Sequence, residues 1–390
     1  MDTVKFVHCA DIHLDAPIRD NGIGTYSDIR RKDIRNAFLR ILDTVKQENA
    51  QLLLISGDFF EQKTTGKSTM EWLYMMLSQL QVPVVIIPGN HDPYILNSWY
   101  RCWEWPSNVT VLTPENPSLI IEELNLHIYG MGFSTYKEDA PDLSVVSPPV
   151  KDKFNIFMFH GTLDMNFTNQ AYKPVTSADL ERLGYDYYAL GHFHRSCSEY
   201  PLKNAYNPGS PEPLGFDEQG VHGIFLVTMR KEYNRVVTEV SKIKTANRQY
   251  HDTVLDVTGC KTLDEVKIRI LALLEGFDPE RDIIRIKLKG RTGFSLEEEV
   301  LSTFISQDWL YLRIDNETRK AFDLEELLLD NSLAGAFARE MKKLIDQARE
   351  ELEGDPENKD LQQKEEKLDL ALSFGLEALS TGRIEWPGEF

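Results

Sequence analysis

Short apolar runs that end in polar residues recur along the first part of the chain. Seven of them read VKFVHCADIH, LLLISGDFF, VPVVIIPGNHD, LHIYGMG, NIFMFHGTL, YYALGHFH and GIFLVTM. Runs this continuous are typical of strands that are covered on both faces, as in parallel sheets. They predict a large buried sheet region in this part of the chain.

Helical patterns lie between these runs. Residues 27–49 place apolar side chains at helical spacing, namely Ile34, Ala37, Phe38, Ile41, Leu42 and Val45. Ser68 and Glu71 have the spacing of a capping box, which predicts a helix that begins just before WLYMML. Because strands and helices alternate, residues 1–250 are predicted to form an α/β domain with largely parallel strands.

The pattern changes after residue 250. DTVLDVTG and DIIRIKLKG are typical of strands and flank the helical KTLDEVKIRILALLEGF, and SLEEEVLSTFIS predicts a second helix before the strand-like WLYLRID. These segments predict a small α/β domain at 251–320. Residues 321–390 have a helical pattern that is broken at GDPEN. The chain is therefore predicted to have three parts, 1–250, 251–320 and 321–390.

Composition narrows the class of protein. Apolar residues make up 42% of the 390 positions, and no stretch approaches the roughly 20 consecutive apolar residues of a membrane span. The N-terminus lacks the pattern of a signal peptide, and the four cysteines show no C-x-x-C spacing. These features predict a cytoplasmic protein without membrane contact. The net charge of −19 argues against broad electrostatic attraction to nucleic acid.

Metal-binding residue types stand where five of the predicted strands end. They are Asp11 and His13, Asp58, the run Asn90-His91-Asp92, His160, and His192 with His194. Functional groups gather outside the carboxyl ends of strands in open α/β sheets, so these side chains are expected to converge. Imidazole with carboxylate favours manganese, iron, zinc or cobalt over magnesium. Two such ions can clamp a displacement at phosphorus, and Asp58 is the expected bridging carboxylate.

The motifs D-x-H, G-D, G-N-H-D, H-G and G-H-x-H, in this order, resemble those of the calcineurin-like metallophosphoesterases. LERLGYDYYALGHFHR and NPGSPEPLGFDE are similar to segments of the bacterial SbcD-type DNA-repair nucleases, and ADIHLDAP is similar to the YhaO-type branch. The resemblance implies a four-layer α/β sandwich in which helices flank the central β-sheets. It also implies a small capping domain and a helical C-terminal region.

The resemblance further implies a role for each motif residue. One metal ion is bound by Asp11, His13 and His194, the other by Asn90, His160 and His192, and Asp58 is shared. His91 is not a ligand but faces the scissile phosphate, and Asp92 orients its imidazole. The two ions are expected to be Mn²⁺. Arg195 is a candidate contact to the substrate phosphate, with an internal ion pair as the alternative.

The implied function is hydrolysis of DNA by an exonuclease or endonuclease in DNA repair. The implied assembly is a homodimer with an SMC-like ATPase of the SbcC type, and the C-terminal helices are candidates for docking it. A phosphodiesterase for nucleotides or small esters is one alternative. A metal-bound scaffold without turnover is another, which the complete set of motif residues argues against.

Other features have both a binding and a structural interpretation. Arg30-Arg31-Lys32 could contact a nucleic-acid backbone or lie in a solvated helical turn. The aromatic residues Tyr94, Trp99, Trp103 and Trp105 could stack on bases or pack on their own domain. An apolar face in the C-terminal region could dock a partner or pack internally; it comprises Leu324, Leu327, Leu328, Phe337, Met341, Leu344 and Ile345. His8, His127, His222 and His251 are interpreted as structural.

Overall fold

The structure is a computed structural model, and it describes residues 2–18, 24–165, 172–233, 235–297, 301, 309–355 and 358–382. The chain divides into two compact units. The first comprises 1–253, 277–285 and 306–313, and the second comprises 254–276, 286–305 and 314–390. The three-part division drawn from the sequence stays a prediction.

The strands and helices alternate through the first unit and continue in the second. The strands are β1 (Thr3–Cys9), β2 (Leu52–Ser56), β3 (Val84–Ile87), β4 (Val109–Val111), β5 (Ser118–Ile121), β6 (Leu126–Met131), β7 (Phe154–His160), β8 (Tyr187–Gly191), β9 (Ala205–Tyr206), β10 (Gly223–Glu232), β11 (Arg235–Lys244), β12 (Gln249–Asp256), β13 (Asp282–Lys289), β14 (Arg291–Thr292), β15 (Tyr311–Asn316) and β16 (Arg319–Lys320). The helices are α1 (Gly24–Gln47), α2 (Lys67–Ser78), α3 (Trp99–Cys102), α4 (Ser177–Glu181), α5 (Leu263–Leu274), α6 (Leu324–Leu329), α7 (Leu333–Gly354) and α8 (Lys359–Thr381).

Two sheets form the centre of the first unit. The larger has the order β11-β10-β1-β2-β3-β4, with β1 to β4 parallel and β10 antiparallel to β1. The smaller has the order β5-β6-β7-β8-β9, with β6 to β9 parallel. Each of the seven apolar runs that predicted strands overlaps one strand, and these strands are β1, β2, β3, β6, β7, β8 and β10.

Alternation along β1 shows how the larger sheet is covered on both faces. Val4 and Phe6 belong to a buried cluster that also contains Ile128 and Ile156 of the smaller sheet. Val7 and Cys9 point the other way, into a cluster formed with α1 and α2. Helices therefore cover one face of the larger sheet and the smaller sheet covers the other.

The outer face of the smaller sheet is covered by α4 and loop segments, which share a buried cluster with β7 and β8. The mixed α/β class, with several sheets flanked by helices, is confirmed. Helix α1 buries all six of its predicted apolar positions. The capping box is a wrong prediction: Gly66 is the N-cap of α2 and no side chain caps this end. Ser68 lies inside the first turn, beyond the position from which a side chain caps a helix.

Strands β12, β13 and β15 form a three-stranded sheet in the order β12-β13-β15. Of the predicted helix SLEEEVLSTFIS, most residues lie outside the described ranges. Helices α6, α7 and α8 pack on one another through a shared apolar cluster, which includes Leu324, Leu327, Leu328, Phe337, Met341 and Ile345. Leu344 is exposed. Six of the seven residues of the C-terminal apolar face thus pack internally. None of the described helices has the length and apolar character that crossing a membrane requires.

Candidate metal centre

The candidate residues stand at the carboxyl ends of parallel strands. Asp11 and His13 follow β1, Asp58 follows β2, and Asn90, His91 and Asp92 follow β3. His160 is the last residue of β7, and His192 and His194 follow β8. Strands β1 to β3 are neighbours in the larger sheet, and β7 and β8 are neighbours in the smaller. Strand order within each sheet and the packing of the two sheets therefore bring residues from the ends of five strands to one site.

The first cluster consists of Asp11, His13 and His194, whose ligand atoms all lie within 4.8 Å of one another. Nε2 of His13 is 3.0 Å from Nε2 of His194. The backbone N–H of His192 donates to both carboxylate oxygens of Asp11, at 3.0 Å each. These contacts fix the carboxylate against the loop that follows β8.

The second cluster consists of Asp58, His160 and His192 at the same mutual spacing. Oδ1 of Asn90 joins them, 3.2 Å from Nε2 of His160 and 2.9 Å from Nδ1 of His192. His192 thus presents Nδ1 to this cluster, whereas His160 presents Nε2. The two histidines of the G-H-x-H motif belong to different clusters.

Asp58 lies where the two clusters meet. Its Oδ2 is 3.6 Å from Nε2 of His13 and 3.3 Å from Nε2 of His160. Burial opposes ionisation of Asp58, yet the charges of His160 and His13 hold the pKa of its carboxyl well below the ordinary value. Asp58 is thus a buried carboxylate that lies between one histidine of each cluster. A carboxylate that bridges two cations has to occupy a position of this kind.

The hydrogen bonds of the outer ring nitrogens show that these clusters fit cations. His160 Nδ1 donates to the carbonyl of Ser56 at 2.7 Å, so in the neutral imidazole the Nε2 lone pair faces the oxygens of Asn90 and Asp58. His13 and His194 likewise donate Nδ1–H groups to carboxylates, which leaves their Nε2 lone pairs facing each other. Lone pairs of nitrogen and oxygen atoms that face one another in a buried site are costly, because neither atom can donate a hydrogen bond. A cation or a proton therefore has to lie between them.

The backbone at the site is strained. Asp11, His13 and Asp58 adopt left-handed conformations with φ of 52°, 51° and 49°, and His192 has φ of 103°. Such values are uncommon for non-glycine residues and cost of order 1–3 kcal/mol each. Four of the eleven described non-glycine residues with positive φ are thus members of the two clusters, and strain of this kind concentrates at functional sites.

Charge pairing sets the protonation of the histidines. Burial opposes the charged form of His194, but the carboxylate of Glu218, 2.6 Å from its Nδ1, raises the pKa to about 10. Burial also opposes charge on His160, yet Asp58 raises its pKa to about 9. For His192, burial and the charge of His160 lower the pKa to about 3. His160 and His194 therefore hold protons at neutral pH that a bound cation has to replace.

His91 lies beside the clusters and is about half exposed. Its Nδ1 donates to Oε2 of Glu61 at 3.0 Å. Burial opposes the charged imidazole, but this hydrogen bond and the charges of Asp58 and Glu61 raise the pKa of His91 above its ordinary value. His91 belongs to neither of the two clusters built on Asp11 and Asp58, although its ligand atom lies within 4.8 Å of those of His13 and Glu61 in a third group.

Asp92 does not contact the imidazole of His91, contrary to the expectation from the sequence. Its buried carboxylate accepts hydrogen bonds from the backbone N–H groups of Asp58, Phe59, Phe60 and Gly89 and from the hydroxyl of Tyr100. The residue therefore ties the loop after β2 to the loop after β3. Adjacent residues in a chain point in different directions, which is why proximity to His91 in the sequence was misleading.

The sequence analysis missed two acidic residues, Glu61 and Glu218. Glu61 accepts hydrogen bonds from His13 and His91, and Glu218 accepts one from His194. Burial opposes ionisation of Glu61, but these histidines lower the pKa of its carboxyl to about 2. The available signal was an acidic residue inside a motif segment: Glu61 stands three positions after Asp58, and Glu218 ends NPGSPEPLGFDE.

The other surface candidates have structural partners. Arg30 is fully buried and forms ion pairs with Asp33 and Glu212, at 2.7 Å each, so it cannot reach a nucleic acid. Tyr94, Trp99, Trp103 and Trp105 pack against the core of the larger sheet. Arg195 is exposed and has no ion pair within the described ranges, so the internal pair considered for it does not form.

Residues 4–196 match the family model described as calcineurin-like phosphoesterase. The chain therefore contains a calcineurin-like metallophosphoesterase domain at 4–196. The match covers the strands that carry both clusters, from β1 to the loop after β8. Members of this family bind divalent metal ions. In this phosphoesterase domain, the two clusters are the candidate sites for such ions.

Two curated relatives extend the match. The uncharacterized metallophosphoesterase YhaO of Bacillus subtilis is 29% identical over 238 residues, which are 57% of this chain and 57% of the relative. The DNA double-strand break repair protein Mre11 of Methanopyrus kandleri is 25% identical over 303 residues, 68% of this chain and 62% of the relative. The resemblance to the YhaO-type branch is thus supported. The matched segments span about three fifths of the length of these relatives.

The solved structures to which the chain is similar include TT1561 of Thermus thermophilus and Vps29 of Entamoeba histolytica. The first is 11% identical, with a TM-score of 0.37 over 61% of this chain and 98% of that chain. The second is 16% identical, with a TM-score of 0.26 over 62% and 99%. Scores this low carry no argument about function.

Proposed function

We propose that this protein is a two-metal phosphodiesterase that hydrolyses DNA, as an exonuclease or endonuclease in DNA repair. The observation that carries the proposal is the pair of three-residue clusters that meet at Asp58. Asp11, His13 and His194 are the proposed ligands of one ion, and Asn90, His160 and His192 those of the other. Mn²⁺ is the proposed ion because the resemblance to the SbcD-type nucleases implies it; the mixed imidazole and oxygen ligands are compatible with it, as they are with iron, zinc and cobalt.

The chain's own residues would bind and orient the reactants. Two divalent cations at these positions would offset the charge of a phosphodiester and activate water for attack at phosphorus. Asp58 holds the two positions together, and the carbonyl of Ser56 fixes the ring of His160. Buried carboxylates orient His13 and His194 in the same way.

His91 is proposed to act on the substrate rather than on a cation. Its Nδ1 is engaged by Glu61, and its half-exposed ring leaves Nε2 available. The raised pKa of His91 favours an imidazolium, which can donate from Nε2 to the leaving oxygen or to charge on phosphorus. Arg195, exposed beside His194, is the proposed additional contact to a phosphate.

Two observations bear on DNA as the substrate. The relative from Methanopyrus kandleri is named as a DNA double-strand break repair protein, which supports it. The net charge of −19 means that attraction to the phosphate backbone has to come from the bound cations and from local cations such as Arg195. A substrate with few charges, such as a small phosphodiester, would need less of this compensation.

The proposed assembly is a cytoplasmic homodimer with an SMC-like ATPase of the SbcC type. Residues 251–320 are the proposed capping domain and 321–390 the proposed docking region. The apolar face of α6 to α8 packs internally. A partner would therefore have to contact exposed side chains such as Leu329, Leu333 and Leu344. Light scattering of the purified protein tests the dimer.

The function is tested with end-labelled duplex and single-stranded DNA, and with bis(p-nitrophenyl) phosphate, in the presence of Mn²⁺. The wild type should degrade DNA, and chelation of Mn²⁺ should stop it. His91→Ala should lower kcat by about 10²- to 10⁴-fold while the metal content per chain stays that of the wild type. Hydrolysis of the chromogenic ester without cleavage of DNA, with or without the ATPase, would contradict the nuclease and favour a small phosphodiester. Loss of metal in His91→Ala would contradict the role of His91.

A further inference from the structure

Glu61 lies between two histidines that have different proposed tasks. Its Oε1 accepts a hydrogen bond from Nδ1 of His13 at 3.0 Å, and Nδ1 of His91 faces both carboxylate oxygens, 2.9 Å from Oε1 and 3.0 Å from Oε2. The two rings meet edge to face, with centroids 4.7 Å apart. His13 is a proposed cation ligand and His91 is not, so one carboxylate joins the two parts of the site.

The backbone holds Glu61 at this position. Its N–H donates to the carbonyl of Leu14 at 3.0 Å, and the N–H of Gln62 donates to the carbonyl of His91 at 3.1 Å. The segment is thus tied on one side to the loop with His13 and on the other to the loop with His91. The side chain of Glu61 is only 14% exposed, so it has little room to turn away.

A carboxylate suits this position because both of its oxygens are acceptors, one facing His13 and both facing His91, whereas an amide has one acceptor oxygen and an NH₂ group that would oppose a ring N–H. We infer that Glu61 is a positioning residue that aligns His13 for cation binding and His91 for the substrate at the same time. The part of this inference that concerns the substrate rests on the proposed phosphodiesterase function. Loss of the Glu61 carboxylate therefore affects cation affinity and the action of His91 together.

Glu218 provides the matched control. Its Oε1 accepts from Nδ1 of His194 at 2.6 Å, and its Oε2 accepts from the hydroxyl of Ser210 and the N–H of Leu214. It supports a proposed cation ligand as Glu61 does, but no hydrogen bond among the described residues joins it to His91. Glutamine variants of the two acids therefore differ in whether they disturb His91.

The first test needs no turnover. In the full chain labelled with ¹⁵N-histidine, Glu61→Gln should shift the imidazole nitrogen signals of both His13 and His91. Glu218→Gln should shift those of His194 and leave those of His91 in place. By calorimetry, both variants should bind Mn²⁺ about 10- to 100-fold more weakly than the wild type. Unchanged His91 signals or unchanged Mn²⁺ affinity in Glu61→Gln would overturn the inference.

The second test asks whether Glu61 acts through His91. At saturating Mn²⁺ with bis(p-nitrophenyl) phosphate, Glu61→Gln should lower kcat about 10- to 100-fold in the protein that keeps His91. In the His91→Ala background the same change should alter kcat by less than about twofold. Glu218→Gln should have the same proportional effect in both backgrounds, because it is not joined to His91.

Equal effects of Glu61→Gln in both backgrounds would overturn the coupling of Glu61 to His91. A wild type that hydrolyses neither DNA nor the chromogenic ester would contradict the proposed function. In that case the nitrogen signals and the Mn²⁺ affinity still decide whether Glu61 positions the two histidines. Failure of the inference and failure of the function are therefore distinguished.

Discussion

Nδ1 of His194 donates a hydrogen bond to Oε1 of Glu218 at 2.6 Å and so joins the end of β8 to the segment before β10. His13 is held by Glu61 in the same manner. Carboxylate–histidine pairs of this kind orient metal-binding imidazoles and raise their basicity. Because the same pairs also raise affinity for protons, cations and protons compete for the same ring nitrogens.

This competition predicts that cation binding strengthens as the pH rises. The pKa values of His160 and His194 are raised to about 9 and about 10, so both rings are protonated at pH 7 and have to lose protons when a cation binds. Calorimetry in buffers of different ionisation enthalpy should show proton release with Mn²⁺ at pH 7, and affinity should increase from pH 6 to pH 8. Glu218→Gln should release fewer protons. An affinity that does not change over this range would contradict the prediction.

Asp92 is predicted to stabilise the fold at the site. Asp92→Asn disturbs five hydrogen bonds to a buried carboxylate and should lower the free energy of unfolding by about 3 kcal/mol. Tyr100→Phe removes one of these bonds and should cost about 1 kcal/mol. Urea unfolding measures both. A stable Asp92→Asn protein that had lost only turnover would instead return Asp92 to the catalytic role expected from the sequence.

Gly89 is predicted to be required for the position of Asp58. A Cβ at Gly89 would lie 2.1 Å from Oδ1 and 2.3 Å from the backbone nitrogen of Asp58, which is too close. Gly89→Ala should therefore displace the shared carboxylate and lower the number of Mn²⁺ ions bound per chain. Gly66→Ala is the control, because a Cβ there meets no atom within 4 Å. Metal analysis of the two variants after dialysis checks this, and full occupancy in Gly89→Ala would argue against it.

Arg30 is predicted to act in stability and not in DNA binding. Arg30→Ala would leave the buried carboxylates of Asp33 and Glu212 without this partner and should cost about 3–5 kcal/mol of unfolding free energy. Arg31 forms an exposed pair with Asp28, and Arg31→Ala should change stability by less than about 0.5 kcal/mol. Urea unfolding and DNA binding are measured together. Weaker DNA binding by a fully stable Arg30→Ala protein would support the phosphate-contact interpretation.

The strands and the residues at their ends could be predicted because both depend on local pattern. Continuous apolar runs marked β1, β2, β3, β7 and β8, and the rule that side chains gather at the carboxyl ends of parallel strands predicted that the motif residues after them would converge. Arg30 shows where this reasoning ends. The next two residues, Arg31 and Lys32, are exposed cations, but Arg30 is buried against two carboxylates, and one of them, Glu212, lies 182 positions away.

Residue type and spacing were enough to predict the α/β class, the order of the motif residues and the chemistry that imidazole and carboxylate side chains can offer. Which carboxylate holds which ring depends instead on contacts between distant loops. Glu61 rather than Asp92 holds His91, and Glu218 holds His194. A hydrogen bond requires a donor–acceptor distance that is correct to a few tenths of an ångström and a suitable direction. Here both depend on how loops that are distant in the chain lie next to each other, and no local sequence pattern encodes that.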